Sequence, residues 1–217
     1  MQLEPHSNFK NFFLIQHPII SYKLALLRDP TTNRKLFKEL TEEIAILLGY
    51  EATRDLPQTT RPIQTPLETF DGKDLESNQF VIAPILRAGL GMGDGLLKLL
   101  PMASVGHIGF YRNEQTLQAV EYYFKIPPNS EKALYLVCDP MLATGNTAVA
   151  AISELKKRGV GHIKFFCMVA APEGVEHMTK HHPDVPIYGA SLDRELNENG
   201  YILPGLGDAG DRLWAVK

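Results

Sequence analysis

The chain has 217 residues, of which 44% are hydrophobic and 22% are charged, and its net charge is −3. This length suits one large domain, so we expect a single domain over residues 1–217. The near-neutral charge gives no broad basic surface, which argues against nucleic acid or a membrane surface as a partner. No run approaches the roughly 18 apolar residues of a membrane span, and the N-terminus lacks an apolar signal core, so we expect a cytoplasmic protein.

The first part of the chain predicts two helices and an extended segment. One helix is expected over Pro18–Arg28, and a second is expected to begin after Thr32 or Asn33 and to end at Gly49. The apolar stripe of the second helix consists of Leu36, Leu40, Ile44 and Leu47. The Pro- and Thr-rich residues 57–66 then predict an edge hairpin or a loop packed over the core.

From Phe80 onward, apolar strands alternate with amphipathic helices. The expected strands are Phe80–Leu86, Ser104–Arg112, Leu117–Ile126, Ala133–Asp139, Ile163–Pro172 and Val185–Asp193. The expected helices are Gly93–Leu100, Asn146–Arg158 and Glu173–His181. This alternation predicts an α/β fold with a mostly parallel sheet flanked by helices on both faces. Such sheets bind ligands beyond the carboxyl ends of their strands, so the residues after each apolar run are candidate site residues.

The segment from Val137 to Thr147 contains a strand, an acidic residue, a short loop and Thr-Gly-Asn-Thr at a helix start. A helix N-terminus attracts phosphate through free backbone N–H groups and a partial positive charge. Thr144 and Thr147 add hydroxyl donors, and Gly145 lets an anion approach the backbone. Asp139 ends the strand, where a carboxylate suits sugar hydroxyls or a hydrated magnesium ion. On this segment alone, an ordinary Thr cap is the alternative.

Asp-Pro-Met-Leu-Ala-Thr-Gly, Asp139 to Gly145, resembles the phosphoribosyl pyrophosphate signature of type I phosphoribosyltransferases, in the form typical of uracil phosphoribosyltransferases. Most other members carry a second acid where this chain has Pro140. The uracil enzymes usually have a second glycine where this chain has Asn146, and Asn tolerates positive φ better than most residues. The residues that this resemblance implies for binding phosphoribosyl pyrophosphate are Asp139, Pro140, Met141, Leu142, Ala143, Thr144, Gly145, Asn146 and Thr147.

A second candidate segment follows the strand that ends at Leu86. Arg87 is followed by glycines at positions 89, 91, 93 and 95, and such a turn suits close approach to an anion beside a guanidinium fork. The alternative is a glycine-rich helix entry with a solvent-facing arginine. Pro-Ile-Leu-Arg-Ala-Gly resembles the pyrophosphate-binding loop of the same family. The likeness extends to Arg112, which it implies as a second pyrophosphate-binding residue.

The C-terminal segment from Gly200 to Lys217 is too rich in glycine to predict a closing helix and too apolar to predict disorder. It contains Gly-x-Gly-x-x-Gly at Gly205, Gly207 and Gly210, but too few residues follow for a dinucleotide-binding βαβ unit. We therefore expect a rigid loop that presents backbone groups to a flat polar ligand. Uracil fits this description, because its edge alternates carbonyl acceptors with N–H donors.

Tyr-Ile-Leu-Pro-Gly-Leu-Gly-Asp-Ala-Gly-Asp-Arg in this segment is very similar to the uracil-recognition segment of uracil phosphoribosyltransferases. The similarity implies uracil contacts from the backbone near Ile202, Gly207 and Ala209. It implies that Asp208 faces the ribose or the pyrophosphate. Tyr201 is expected either against the base or in the core.

Together the three motifs resemble an enzyme that joins uracil to phosphoribosyl pyrophosphate, giving UMP and pyrophosphate. The resemblance implies catalytic roles for Asp208, Arg112 and Arg87, with Mg²⁺ accompanying the pyrophosphate substrate. It also implies a small hood of N- and C-terminal segments, a hairpin arm around Asn113–Tyr123, and a homodimer or homotetramer. The residues leave open whether the hairpin is a lid or a subunit arm. They also leave open whether GTP is an allosteric activator.

Other functions fit the sequence less well than the transfer of phosphoribose to uracil. A transferase for another base would share the phosphate loop, and an RNA-binding regulator of pyrimidine genes could share the fold. The tail favours uracil, and the net charge of −3 argues against RNA. Gly72-Lys73 lacks the earlier glycine of a nucleoside triphosphate P-loop. The histidines at positions 177, 181 and 182 lack Cys or acidic partners at zinc-ligand spacing, so we expect them to be solvated or capping.

Overall fold

The computed structural model describes residues 3–112 and 119–215, without the side chains at positions 111, 112 and 119. The helices in these ranges are α1 Pro18–Arg28, α2 Arg34–Ala52, α3 Gly89–Leu99, α4 Asn146–Lys157, α5 Pro172–His181 and α6 Ala209–Trp214. The strands are β1 Phe12–Leu14, β2 Gln58–Gln64, β3 Thr69–Leu75, β4 Phe80–Leu86, β5 Ser104–Val105, β6 His107–Arg112, β7 Ala119–Lys125, β8 Leu134–Cys138, β9 Met141–Leu142, β10 His162–Ala170, β11 Ile187–Leu192, β12 Glu195–Leu196 and β13 Ile202–Leu203. None of these described helices combines the length and apolar character that crossing a bilayer requires.

The main sheet is mostly parallel. Its strands follow the order β1-β11-β10-β8-β4-β6-β7, with β5 beside β4 and β9 beside β10. The pairs β1–β11, β11–β10, β10–β8, β8–β4 and β4–β6 are parallel, whereas β6 and β7 form an antiparallel hairpin. The carboxyl ends of β4, β8, β10 and β11 therefore lie along one edge, and the candidate site segments follow two of them.

Helices cover both faces of this sheet. On one face, Leu136 and Phe166 join the buried side chains of α1, α2 and α3. On the other face, Val137 and Phe165 join those of α4 and α5. Successive residues of a strand point to opposite faces, so an apolar run such as LYLVC is buried on both sides. The predicted α/β architecture is confirmed.

The Pro- and Thr-rich stretch forms a hairpin. β2 and β3 pair antiparallel from Gln58 opposite Leu75 to Gln64 opposite Thr69, and they make a two-stranded sheet of their own. Of the two alternatives predicted from the sequence, the hairpin is therefore the one observed.

The second helix is longer than predicted. α2 continues to Ala52, so Gly49 lies inside the helix and does not end it. A Cβ at Gly49 would lie 2.7 Å from Leu96 Cδ2 of α3. Glycine is present here because two helices pack closely, a need that the sequence does not distinguish from a C-cap.

The C-terminal segment ends in a short helix, so the prediction of a loop throughout is wrong. Asp208 caps α6 by accepting a hydrogen bond from the Asp211 N–H at 2.9 Å. Gly205 and Gly207 have positive φ and precede the helix. Only Gly210 of these glycines falls inside α6, so the glycine-rich composition applies to the loop rather than to the helix.

The packing of α3 on α2 generates a stability prediction. A Cβ at Gly95 would lie 2.3 Å from the backbone oxygen of Glu42, which cannot move aside as a side chain can. We expect Gly95→Ala to lower the free energy of unfolding by about 1 to 3 kcal/mol, measured by urea denaturation. Gly161→Ala is the matched control, because nothing lies within 4 Å of a Cβ there. Equal stability of the two variants would contradict this account of the α2–α3 contact.

Candidate active site

The phosphate loop, residues 139–147, forms a small cradle after β8. It surrounds a hollow of about 80 Å³, lined by Asp139, Met141, Leu142, Ala143, Thr144, Gly145, Thr147 and Ala148. Of the residues predicted for phosphoribosyl pyrophosphate, Pro140 lies buried outside this lining and Asn146 is exposed. α4 begins at Asn146, so the free N–H groups of its first turn lie beside the hollow. The helix start near Gly145 is where the sequence predicted it.

Positive φ is required at Gly145 and not at Asn146. Gly145 caps α4 with φ of +79° and no side-chain cap, so the ordinary Thr cap considered above is absent here. Asn146 is the first helical residue and is not among the described residues with positive φ. The departure from the family's second glycine therefore falls at a position whose backbone any residue can adopt.

Two neighbouring elements hold the phosphate loop. β9, in the middle of the loop, pairs with the end of β10, where Met141 lies opposite Val169. α5 packs so closely on the loop that a Cβ at Gly174 would lie 2.3 Å from the Ala143 oxygen. The loop is thus fixed by contacts between backbones, and its side chains are left for a ligand.

Asp139 is the titratable group at the bottom of the loop. Burial raises its pKa to about 7, a hydrogen bond from the Met141 N–H opposes this rise, and the charge of Asp208 adds to it. The approach of Gly200 to Thr144, where a Cβ would lie 3.8 Å from Thr144 Cγ2, places the C-terminal segment beside the phosphate loop. Two carboxylates brought together in this way suit sugar hydroxyls or a cation.

Arg87 directly follows β4, and its side chain is exposed. The peptide bond that precedes it is cis. In the described part of the chain, its guanidinium makes no hydrogen bond or ion pair, so all its donors are available to an anion.

Gly89 and Gly91 lie inside α3, so the prediction of a turn at these two positions is wrong, whereas Gly93 and Gly95 lie in the helix predicted for them. The alternative of a glycine-rich helix entry is observed. A Cβ at Gly89 would lie 2.4 Å from the Cys138 oxygen at the end of β8. A Cβ at Gly93 would lie 3.4 Å from Pro84 of β4. These glycines let α3 pack closely on the sheet, directly after Arg87.

Arg112 is the last residue of β6, opposite Ala119 of β7. Its side chain lies outside the described part of the structure, as do residues 113–118 of the predicted hairpin arm. The backbone of β6 and β7 confirms a hairpin at this point of the chain.

The base loop, residues 201–209, runs through β13 to the first residue of α6. Ile202 and Ala209 are buried, whereas Gly207 and Asp208 are exposed. Tyr201 is 50% exposed, which excludes the core as its location. Gly207 has φ of +81°, a conformation that L side chains rarely adopt. Asp208 uses Oδ1 to cap α6, and Oδ2 receives no hydrogen bond from the described residues.

Two contacts and one electrostatic interaction join Arg87, the phosphate loop and the C-terminal segment in one site. The Trp214 indole N–H donates to the Arg87 oxygen at 3.2 Å, which joins α6 to the residue that directly follows β4. A Cβ at Gly200 would lie 3.8 Å from Thr144 Cγ2, so the residue just before the base loop lies against the phosphate loop. The charge of Asp208 acts on Asp139, as described above. Trp214 therefore has a specific partner in addition to its packing.

The sequence missed the residues that hold the base loop. Arg28 bonds Asp193 and the Gly205 oxygen, and Arg212 bonds the oxygens of Leu27 and Leu206. Arg28 ends a helix and Asp193 ends a strand, positions typical of solvated charges. Their separation of 165 residues leaves no local pattern that would pair them.

The histidines of α5 and its end form no metal site. In the described ranges, no group of three or more His, Cys, Asp or Glu side chains is arranged to hold a metal ion. His182 is 6% exposed and its Nε2 lies 3.1 Å from both Ser153 Oγ and the Val149 oxygen. It is therefore buried, and as the residue that caps the end of α5 it fits the capping alternative and not the solvated one. His177 packs beside Gly145, where a glycine Cβ would lie 3.3 Å from its ring.

Comparison with known proteins identifies the family. The family model described as "Uracil phosphoribosyltransferase" matches residues 14–215. The chain belongs to the uracil phosphoribosyltransferase family. It is 53% identical to the uracil phosphoribosyltransferase of Bacillus pumilus, over 94% of this chain and 98% of the relative. It is 52% identical to that of Mesorhizobium japonicum, over 96% of this chain and 100% of the relative.

Solved structures share the fold of this chain. The AQ2163 protein of Aquifex aeolicus superposes with a TM-score of 0.89 at 35% identity, over 95% of this chain and 99% of that chain. The adenine phosphoribosyl transferase of Trypanosoma brucei gives a TM-score of 0.57 at 12% identity, over 96% of this chain and 92% of that chain, which shows the fold alone. The family predicted from the three motifs is confirmed, and the comparisons favour the transferase over an RNA-binding regulator.

The backbone at the start of α4 generates a prediction with neighbouring positions as test and control. Gly145→Ala places a Cβ 2.9 Å from the Gly174 oxygen at φ of +79°, so it distorts the phosphate loop. We expect KM for phosphoribosyl pyrophosphate to rise about tenfold, in keeping with about 1 to 2 kcal/mol of strain in this conformation. Asn146→Gly should change KM little. A larger effect at Asn146 than at Gly145 would contradict the assignment of positive φ.

The raised pKa of Asp139 predicts how stability depends on pH in the absence of substrates. Folding raises this pKa to about 7, so the protonated carboxyl is favoured in the folded protein. Its contribution to stability is fully present below the pKa of the unfolded chain and is lost as pH rises through about 7. Stability should therefore fall between about pH 4 and pH 7. Thermal unfolding midpoints across this range measure the effect. Asp139→Asn should flatten the decline, and parallel curves for the two proteins would rule this explanation out.

Proposed function

We propose that this chain transfers the phosphoribosyl group of phosphoribosyl pyrophosphate to N1 of uracil, giving UMP and pyrophosphate. The observation that carries the proposal is the convergence of the phosphate loop, Arg87 and the base loop at one edge of the sheet. The contact from Trp214 to Arg87 and the charge of Asp208 near Asp139 support a shared site for both substrates.

The phosphate loop holds the 5-phosphate of the sugar. Backbone N–H groups at the start of α4 and the hydroxyls of Thr144 and Thr147 are its donors. Asp139, at the start of the loop, accepts hydrogen bonds from the ribose hydroxyls. This anchoring holds C1 of the ribose in place for attack by the base.

Arg87 binds the pyrophosphate group, with Arg112 as its second arginine by family resemblance. Positive charge here stabilises the leaving group as it gains negative charge. Magnesium bound with the pyrophosphate would neutralise further charge, and Asp139 and Asp208 would hold it through water.

The base loop recognises uracil through its main chain. Backbone groups near Ile202, Gly207 and Ala209 match the alternating acceptors and donors of the uracil edge, and Tyr201 lies against the base. Cytosine has an amino group where uracil has a carbonyl, so it would leave loop groups unpaired, and buried unpaired groups are unfavourable. This argument favours uracil over cytosine.

The chemical step separates C1 of the ribose from pyrophosphate with inversion, through an oxocarbenium-like transition state. The N1 proton of uracil must leave as the new bond forms. Asp208 is our candidate acceptor, because Oδ2 is not engaged by the α6 cap. Exclusion of water by the loops limits hydrolysis of the activated sugar. We further propose a cytoplasmic homodimer or homotetramer, with GTP as a candidate activator.

The activity is tested with purified protein, Mg²⁺, phosphoribosyl pyrophosphate and each nucleobase separately. We expect UMP to form with uracil, and no nucleotide to form with cytosine, orotate, adenine, guanine or hypoxanthine. Omission of Mg²⁺ should abolish turnover, and parallel reactions with GTP test activation. Nucleotide formation with a different base and not with uracil would refute the proposal.

The proposed roles of Arg87 and Asp208 are tested by substitution. Arg87→Ala should lower kcat/KM by about 100-fold or more, because it removes charge from the leaving-group site. Asp208→Asn removes the carboxylate charge while keeping a side chain that can cap α6, so it should lower turnover without unfolding the helix. Arg54→Ala is the control for an exposed arginine distant from these loops. Wild-type kinetics in Arg87→Ala and Asp208→Asn would refute their roles.

A further inference from the structure

A buried ion pair links the N-terminal helix to the end of β11. Arg28 Nη1 donates to Asp193 Oδ2 at 2.7 Å, and Arg28 Nη2 donates to Asp193 Oδ1 at 2.5 Å. The Asp193 side chain is 2% exposed and that of Arg28 is 22% exposed. Ser191 Oγ donates to Asp193 Oδ1 at 2.7 Å. The pair is bidentate and nearly sealed from water, which makes it stronger than a surface ion pair.

Both members of the pair also bond one residue of the base loop. The Gly205 N–H donates to Asp193 Oδ2 at 2.9 Å, and Arg28 Nη1 donates to the Gly205 oxygen. Both backbone polar groups of Gly205 are therefore taken by the pair. Gly205 has φ of +64°, and a Cβ there would lie 2.1 Å from the Ile202 oxygen. The pair thus fixes the loop at a glycine with positive φ that packs against Ile202, a residue assigned to uracil.

Beyond Gly205, the loop is held by the hydrogen bond from Arg212 to the Leu206 oxygen and by the burial of Leu206. Pro204, Gly207 and Asp208 are exposed, so apolar burial contributes little between Gly205 and α6 apart from Leu206. A buried ion pair is by itself weak evidence for stability, because desolvation offsets most of its attraction. Contacts from both charges to one loop residue point instead to a role in shaping the loop.

We propose that Arg28 and Asp193 are a positioning pair that holds the base loop in its uracil-binding shape, and that losing either residue weakens uracil binding selectively. The proposal rests on the proposed function. Neither side chain contacts the phosphate loop, so binding of phosphoribosyl pyrophosphate should be largely independent of the pair. The pair lies outside the segments from which the family resemblance was drawn.

The test compares KM for each substrate in Arg28→Ala, Arg28→Lys and Asp193→Asn. We expect KM for uracil to rise by about tenfold or more in Arg28→Ala and Asp193→Asn, as hydrogen bonds to charged groups are lost, with KM for phosphoribosyl pyrophosphate little changed. Arg28→Lys keeps the charge but not the planar fork, so its KM for uracil should be intermediate. Added guanidinium ion should lower KM for uracil in Arg28→Ala and not in Asp193→Asn.

Lys164→Ala is the matched control. Lys164 is 7% exposed, and its Nζ donates to a backbone oxygen, that of Ala52, and to a carboxylate, that of Asp55. Like Arg28, Lys164 is a cation that bonds both a backbone oxygen and a carboxylate. It lies near the start of β10, away from the base loop. Lys164→Ala should lower the unfolding temperature and leave KM for uracil unchanged. If Arg28→Ala does not fold, Arg28→Lys and Asp193→Asn decide the matter at a temperature where both are folded.

Two results would overturn the positioning role while the wild type still makes UMP. One is an unchanged KM for uracil in folded variants, and the other is a parallel rise of KM for both substrates that guanidinium does not reverse. Either would mean that the pair only stabilises the fold. A wild type that makes no UMP would instead overturn the proposed function and the pair's role with it.

Discussion

The site depends on the close approach of backbone to backbone at the carboxyl edge of the sheet. α3 and α5 press on the end of β8 and the loop after it from opposite faces, and glycine makes both contacts possible. A Cβ at Gly89 would clash with the Cys138 oxygen, and one at Gly174 would clash with the Ala143 oxygen. Since the main chain sets the position of the loop, its hydroxyls, carboxylate and free N–H groups remain for a ligand. Arg87 takes its position from the same packing, because it lies between β4 and α3.

The positive and negative groups of the site match the groups that the proposed substrate, phosphoribosyl pyrophosphate, carries. Asp139 and Asp208 approach each other, and burial together with this repulsion raises the pKa of Asp139 to about 7. Carboxylates placed so would repel phosphate, whereas they suit hydroxyl groups and a hydrated cation. The positive side of the site comes from the start of α4 and from Arg87. A sugar with phosphate at one end, pyrophosphate at the other and hydroxyls between matches this order.

The sequence predicted the sheet, most of the helices and the phosphate loop, because apolar periodicity and the Thr-Gly helix start are local signals. It failed where glycine serves long-range packing. Gly49 was expected to end a helix, and Gly89 and Gly91 were expected to lie in a turn, yet these positions are helical and face a neighbouring element. Arg28 and Asp193 were missed for a related reason, since their pairing spans 165 residues and leaves no pattern in the chain.

The two halves of the site are held by different physical means, and this separates their specificities. Main-chain packing on the sheet holds the phosphate half, whereas guanidinium groups from α1 and α6 hold the base half across the chain. The fold is shared with an adenine phosphoribosyl transferase at 12% identity, so the sheet itself does not select the base. The base loop is joined to the rest of the fold by the buried side chains of Ile202 and Leu206 and by hydrogen bonds from Arg28 and Arg212. Under the proposed function, selection of the base would therefore depend on the shape of this loop, to which Arg28 and Asp193 are both bonded at Gly205.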